Sequence, residues 1–137
     1  MKIFISRSLV LGAALLLSLP LRADPVLVGH TALKGQALDA DAVKAVLLGK
    51  RVTLGDSRVV VVIIKNSASQ DAFLQSHVAM TTSQFQTYWR RLFMTGGGSA
   101  PKIVETEADA CKLVAETTGA ISVVDSTSAN NLVVLGK

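Results

Sequence analysis

The sequence predicts an α/β fold, a single compact domain with a mixed central sheet flanked by helices. Short apolar runs ended by glycine or polar clusters alternate with segments of helical periodicity, the order an α/β fold produces. One run, Val59 to Ile64, is six consecutive β-branched residues and reads as a strand buried on both faces. Half of the 137 residues are hydrophobic, and no repeat, linker or low-complexity tract divides the chain.

Taken in order, residues 1–23 read as a secretory signal peptide. Lys2 and Arg7 precede an uncharged apolar run from Ser8 to Leu21, and Leu21-Arg22-Ala23 ends on a small residue suited to cleavage. That run is 14 residues, whereas a spanning helix needs about 20. Cleavage after Ala23 leaves a domain over 24–137, expected in the periplasm, with membrane contact only through the leader. The formal charge of +4 falls to +1 once Lys2, Arg7 and Arg22 leave, with 11 basic against 10 acidic residues. No basic stripe interleaved with aromatics remains, so nucleic acid is not an expected partner.

Pro25 to Gly29 is a short buried strand, and His30 to Leu38 a loop. Asp39-Ala40-Asp41 opens a helix, because acidic residues favour a helix N-terminus, and Ala42, Val43, Val46 and Leu47 recur at helical spacing. Gly49 stops it. A strand is predicted over Arg51 to Leu54, a turn at Gly55-Asp56-Ser57, and the strongest strand over Arg58 to Ile64. After the polar loop Lys65 to Gln70, a helix runs from about Gln70 to His77, with Phe73 and Leu74 as its apolar contacts. Thr81-Thr82-Ser83 caps a helix over Gln84 to Phe93, whose Phe85, Tyr88, Trp89, Leu92 and Phe93 form a wide apolar stripe. The loop Thr95 to Pro101 carries Gly96-Gly97-Gly98. An extended piece, Lys102 to Val104, precedes a helix over Glu107 to Thr117, then strands over Ala120 to Val124 and Leu132 to Leu135. Cys111, the only cysteine, falls in the last helix beside Ala110 and Val114 and reads as a small hydrophobe.

The inventory for catalysis is thin. His30 and His77 each stand alone, with no cysteine or acid at metal-ligand spacing. Neither a Gly-x-Ser-x-Gly elbow nor a phosphate-binding Gly-x-x-x-x-Gly-Lys motif occurs. No enzyme activity, metal or cofactor is therefore expected. The candidate site is Lys65 to Gln70, where the buried strand meets a helix. Ligands of open α/β sheets collect at the carboxyl ends of strands, and a helix start offers free N–H groups to an anion. Ser67 and Ser69 add hydroxyls and Lys65 adds charge, a set suited to an oxyanion such as phosphate; Ser67 or Ser69 acting simply as a helix cap is the alternative. The glycines from Gly96 either admit a ligand close to the backbone or form a plain loop.

A resemblance sharpens this reading. Leu47-Leu48-Gly49-Lys50, the valine-rich strand, Asn66-Ser67-Ala68-Ser69-Gln70-Asp71-Ala72-Phe73, Tyr88-Trp89-Arg90-Arg91-Leu92-Phe93-Met94-Thr95-Gly96-Gly97-Gly98, Pro101-Lys102 and Gly119-Ala120-Ile121-Ser122-Val123-Val124-Asp125 occur in that order. The chain resembles the short periplasmic phosphate-binding-protein-like family, related to the substrate-binding component of phosphate ABC transporters. The resemblance implies one lobe of a type II periplasmic binding protein. It implies a small inorganic anion held by Ser67, Ser69 and Gln70, with Lys65, Thr95 and Gly96 beside it, and an inner-membrane transporter or sensor as partner. Where the family has a Gly-Ser-Gly-Thr type turn, this chain has Asn66-Ser67-Ala68-Ser69; where the family has Ile-Gly-Tyr-Val, it has Ile121-Ser122-Val123-Val124. The rival function is a periplasmic structural or interaction protein that keeps the fold and binds no ligand.

Overall fold

The computed structural model describes residues 24–137, so the predicted leader lies outside the described residues. In chain order the elements are β1 (Pro25–Gly29), α1 (Ala40–Leu47), β2 (Thr53–Leu54), β3 (Ser57–Arg58), β4 (Val60–Ile64), α2 (Ala68–Val78), α3 (Thr82–Met94), β5 (Lys102–Val104), α4 (Glu107–Glu116), β6 (Ala120–Asp125) and β7 (Val133–Gly136). Short 3₁₀ turns follow β1 at Thr31–Leu33 and β6 at Ser126–Ser128.

Five strands form one sheet in the order β5-β4-β6-β1-β7. β4 pairs in parallel with β5 and β6, whereas β1 is antiparallel to both its neighbours, so the sheet is mixed and β1 alone runs against the rest. The β-branched run fulfils its expected double burial. Val61 and Ile63 face a cluster with Leu47, Phe73, Leu74, Phe85 and Trp89, so α1, α2 and α3 cover that face. Val62 and Ile64 face the opposite cluster, where Ala110 and Val114 of α4 meet Val26 and Val124. Alternation along one strand thereby glues both helical layers to the same sheet.

Several boundaries differ from the sequence expectation, each for a local reason. The predicted strand from Arg58 divides at Val59, whose N–H leaves the ladder to donate to the Val52 carbonyl (2.9 Å), and β2 and β3 form a separate small hairpin. α2 begins at Ala68 because the Ser67 side chain accepts from the Gln70 N–H. α3 begins at Thr82 because Thr81 and Gln84 form a reciprocal capping box. Phe93, expected in the apolar stripe, is exposed. It lies about 90° from the centre of the stripe that Phe85, Tyr88, Trp89 and Leu92 define, at the margin of the buried face.

Candidate functional site

β4 and β5 are adjacent parallel strands, yet the helices that follow them leave to opposite faces, α2 to one and α4 to the other. This divergence opens a crevice at their carboxyl ends, the place where open α/β sheets hold ligands. Lys65 and Ser67 from the β4 side, and Glu105 and Glu107 from the β5 side, meet there.

The crevice is crossed by the protein's own side chains. Lys65 Nζ lies 2.7 Å from Glu105 Oε1, an ion pair with both side chains largely in solvent. Deeper, Glu107 is the first residue of α4 and half-buried. Its Oε1 accepts from the Ser67 hydroxyl (3.1 Å) and the Asp125 N–H (3.2 Å), while Oε2 accepts from the Ser128 hydroxyl (3.1 Å). Three donors from the ends of β4 and β6 thus converge on one carboxylate, in charge-assisted bonds stronger than neutral ones. The Ser67 oxygen is engaged twice, since it also accepts from the Gln70 N–H at 3.1 Å.

The other residues expected at the site lie elsewhere. Ser69 is buried in the first turn of α2. Gln70 is also buried: Oε1 accepts from Ile64 N (2.9 Å), and Nε2 donates to Ile64 O (2.8 Å) and to Thr82 Oγ1 (3.0 Å). Its amide therefore closes the free end of β4 and ties it to α3 instead of facing solvent. The Thr82 hydroxyl and N–H in turn donate to Asp71. Thr95 ends α3, a helix of 13 residues and so about 20 Å long, and its hydroxyl bonds back to the carbonyls of Arg91 and Leu92. Beyond it Ser99 accepts from Arg58 Nε (2.8 Å), next to the amino end of β4. Thr95 and Gly96 thus lie toward the amino end of β4, the opposite end of the strands from Ser67. The glycine run serves the core there: at Gly98, φ is +69° and a Cβ would lie 3.0 Å from the Trp89 ring.

No family model matches the sequence, and no curated protein does. Among solved structures, the chain is similar to an ABC-type phosphate transport receptor from Vibrio cholerae, with a TM-score of 0.53 at 13% identity. The match covers 81% of this chain and 44% of that receptor's, so the chain spans less than half of the receptor's length. The likeness is one of fold.

Two features carry little signal in the sequence. For Glu107, an acid at the first helical position is the sole sign. The second is an open groove of about 570 Å³ between α4 and the turn after β6, lined by Cys111, Lys112, Asn130 and Leu132 among others. Cys111 is half-buried rather than a plain core residue, with Sγ 3.2 Å from the Ser128 carbonyl oxygen it donates to. Burial and then the nearby Glu107 charge push its thiol pKa up. Trp89 is core, as expected, and its Nε1 donates to Leu47 O at 3.0 Å. His77 stacks on Phe73 with ring centroids 4.0 Å apart, and His30 caps the turn after β1 by accepting from Ala32 N. Among the described residues no three of His, Cys, Asp and Glu are grouped to hold a metal ion, and no helix is long and apolar enough to cross a membrane.

Proposed function

We propose that this chain is an exported, non-catalytic periplasmic module that has the receptor fold but acts by contact with another macromolecule, its own Glu107 carboxylate standing where a solute anion would sit. The observation that carries this reading is the convergence of Ser67 Oγ, Asp125 N and Ser128 Oγ on Glu107. A phosphate entering that crevice would displace or face a carboxylate, and like charges at such range repel.

A second reading, a bound oxyanion, is favoured by an open cavity of about 440 Å³ between the starts of α2 and α3. Lys65, Asn66, Thr82 and Ser83 line it, although Asp71 lines it too.

Thermal denaturation of the purified protein with and without millimolar phosphate separates the two. The interaction module shows no shift. One-site phosphate binding at a hundredfold excess over Kd adds about 2.7 kcal/mol, and loss of that shift in Lys65→Ala would locate the anion in the Lys65 cavity. Fractionation of expressing cells, with N-terminal sequencing of the product, tests export: a periplasmic chain beginning at Asp24 is expected, and a cytoplasmic chain retaining Met1 rejects it.

A further inference from the structure

We infer that the end of α3 is a docking tip for an anionic lipid surface. Met94 is 77% exposed and Phe93 is 50% exposed, side by side on the last helical turn. Neither can contribute much to the core at that exposure, and adjacent large apolar side chains in solvent mark contact surfaces. Arg90 and Arg91, both exposed, precede them.

Tertiary structure brings more positive charge to the same end. The Tyr88 hydroxyl donates to Leu48 O at 2.5 Å, Trp89 Nε1 donates to Leu47 O, and a Cβ on Gly49 would collide with Leu92. The end of α1 is therefore clamped against the last turns of α3, and exposed Lys50 and Arg51 follow directly. No Asp or Glu occurs from 82 to 104 or from 42 to 55; Asp56, in the hairpin turn, is the next acid along the chain from Arg51. Glu105, Glu107 and Asp125 instead gather at the carboxyl ends of β4, β5 and β6, with Asp24 beside them through its carbonyl bond to Ser126 N. The described chain is nearly neutral in sum, but this end of α3 is locally basic, so an anionic plane attracts it with Phe93 and Met94 leading.

The shape selects a lipid surface over an acidic peptide. An apolar-anchored peptide needs a groove in which to seat side chains, and the open groove that Arg91 shares with Ser83, Thr87 and Tyr88 on α3 does not include Phe93 or Met94. Phe93 and Met94 instead project from a helix end, and the chain then leaves through Gly96 and Gly98 at positive φ. An interfacial bilayer region accepts projecting apolar side chains without any pocket, while Lys and Arg remain among the headgroups. The sequence alone confined membrane contact to the leader; the folded domain supplies a contact of its own. This inference does not rest on the role given to Glu107.

Cosedimentation of the purified protein tests it, using vesicles of phosphatidylcholine alone and of equal parts phosphatidylcholine and phosphatidylglycerol. Binding is expected only to the anionic vesicles, weakening as salt rises. Arg90→Gln with Arg91→Gln lowers partitioning about thirtyfold, and Phe93→Ser with Met94→Ser reduces it at least tenfold, with circular dichroism unchanged because these side chains are exposed. Equal sedimentation with neutral and anionic vesicles, or none with either, overturns the proposal. So does binding to poly-aspartate without vesicle binding, which assigns the tip to an acidic protein. Self-association abolished by Phe93→Ser with Met94→Ser, without vesicle binding, assigns it to a second copy.

Discussion

Glu107 and Gln70 hold the carboxyl end of the sheet in different ways. Glu107→Ala leaves the Ser67 and Ser128 hydroxyls and the Asp125 N–H without their acceptor. A loss of about 1–3 kcal/mol is expected in urea denaturation, with Glu107→Gln milder because it keeps one acceptor. Gln70→Ala strands the buried N–H and C=O of Ile64 at the end of the central strand, and a loss of about 2–4 kcal/mol is expected. A solvent-facing ligand residue would show almost none, so the same denaturation curve decides whether Gln70 is strut or site. Cys111 reports on Glu107 from the other side. Burial first and the Glu107 charge second raise its thiol pKa, so the native state holds that proton longer than the unfolded chain. Stability is accordingly unaffected by the thiol below its unfolded pKa and declines as pH rises through it. Alkylation of native Cys111 at neutral pH should be slower than in denaturant, and faster in Glu107→Gln than in the parent.

At the scale of elements, the turns that end β4 and β6 set the geometry of the crevice. Ser67→Ala removes the α2 cap together with a donor to Glu107, and about 1 kcal/mol or more of stability should go with it. After β6, Asp125 accepts from both the N–H and the hydroxyl of Thr127, and these bonds lower its pKa. The stabilisation they bring is present above the unfolded carboxylate pKa and is lost as pH falls through the lower native value. An NMR titration of Asp125 should therefore move toward the ordinary aspartate range in Thr127→Ala. The start of β6 depends on Gly119, at φ +82°, where a Cβ would lie 2.1 Å from the Arg58 carbonyl oxygen. Gly119→Ala is expected to cost more than about 2 kcal/mol, since backbone has to move and the conformation is strained for any L side chain.

Across the whole molecule, both helical layers share one sheet, so damage on either face should appear in one unfolding transition. Phe85→Ala on the α1–α3 side and Ile64→Ala on the α4 side are expected to lose about 3–5 and 2–5 kcal/mol respectively, with fluorescence and circular dichroism transitions coincident. Separate transitions would mean that the layers fold independently. The basic cluster at the end of α3 is also a property of the whole fold: Lys50 and Arg51 are some 40 residues from Arg90 and Arg91, and the clamp between α1 and α3 unites them.

The sequence by itself determined the elements and the α/β class. Six β-branched residues in a row admit only a strand covered on both faces, and caps such as Ser67 and Thr81 are local chemistry that a short window contains. It also located the crevice in part, since Lys65 and Ser67 follow the buried strand. Tertiary structure decided what occupies that crevice. Glu107 is 40 residues from Ser67, and it arrives there because β5 pairs beside β4 while α4 packs on the far face. The same holds for Gln70, whose polar side chain gives no local sign of closing a strand end, and for Thr95 and Gly96, which helix length carries to the amino ends of the strands. Hydrogen bonds within a turn are encoded by neighbours along the chain; those that join one strand end to another helix's first residue exist only once the strands are ordered in the sheet.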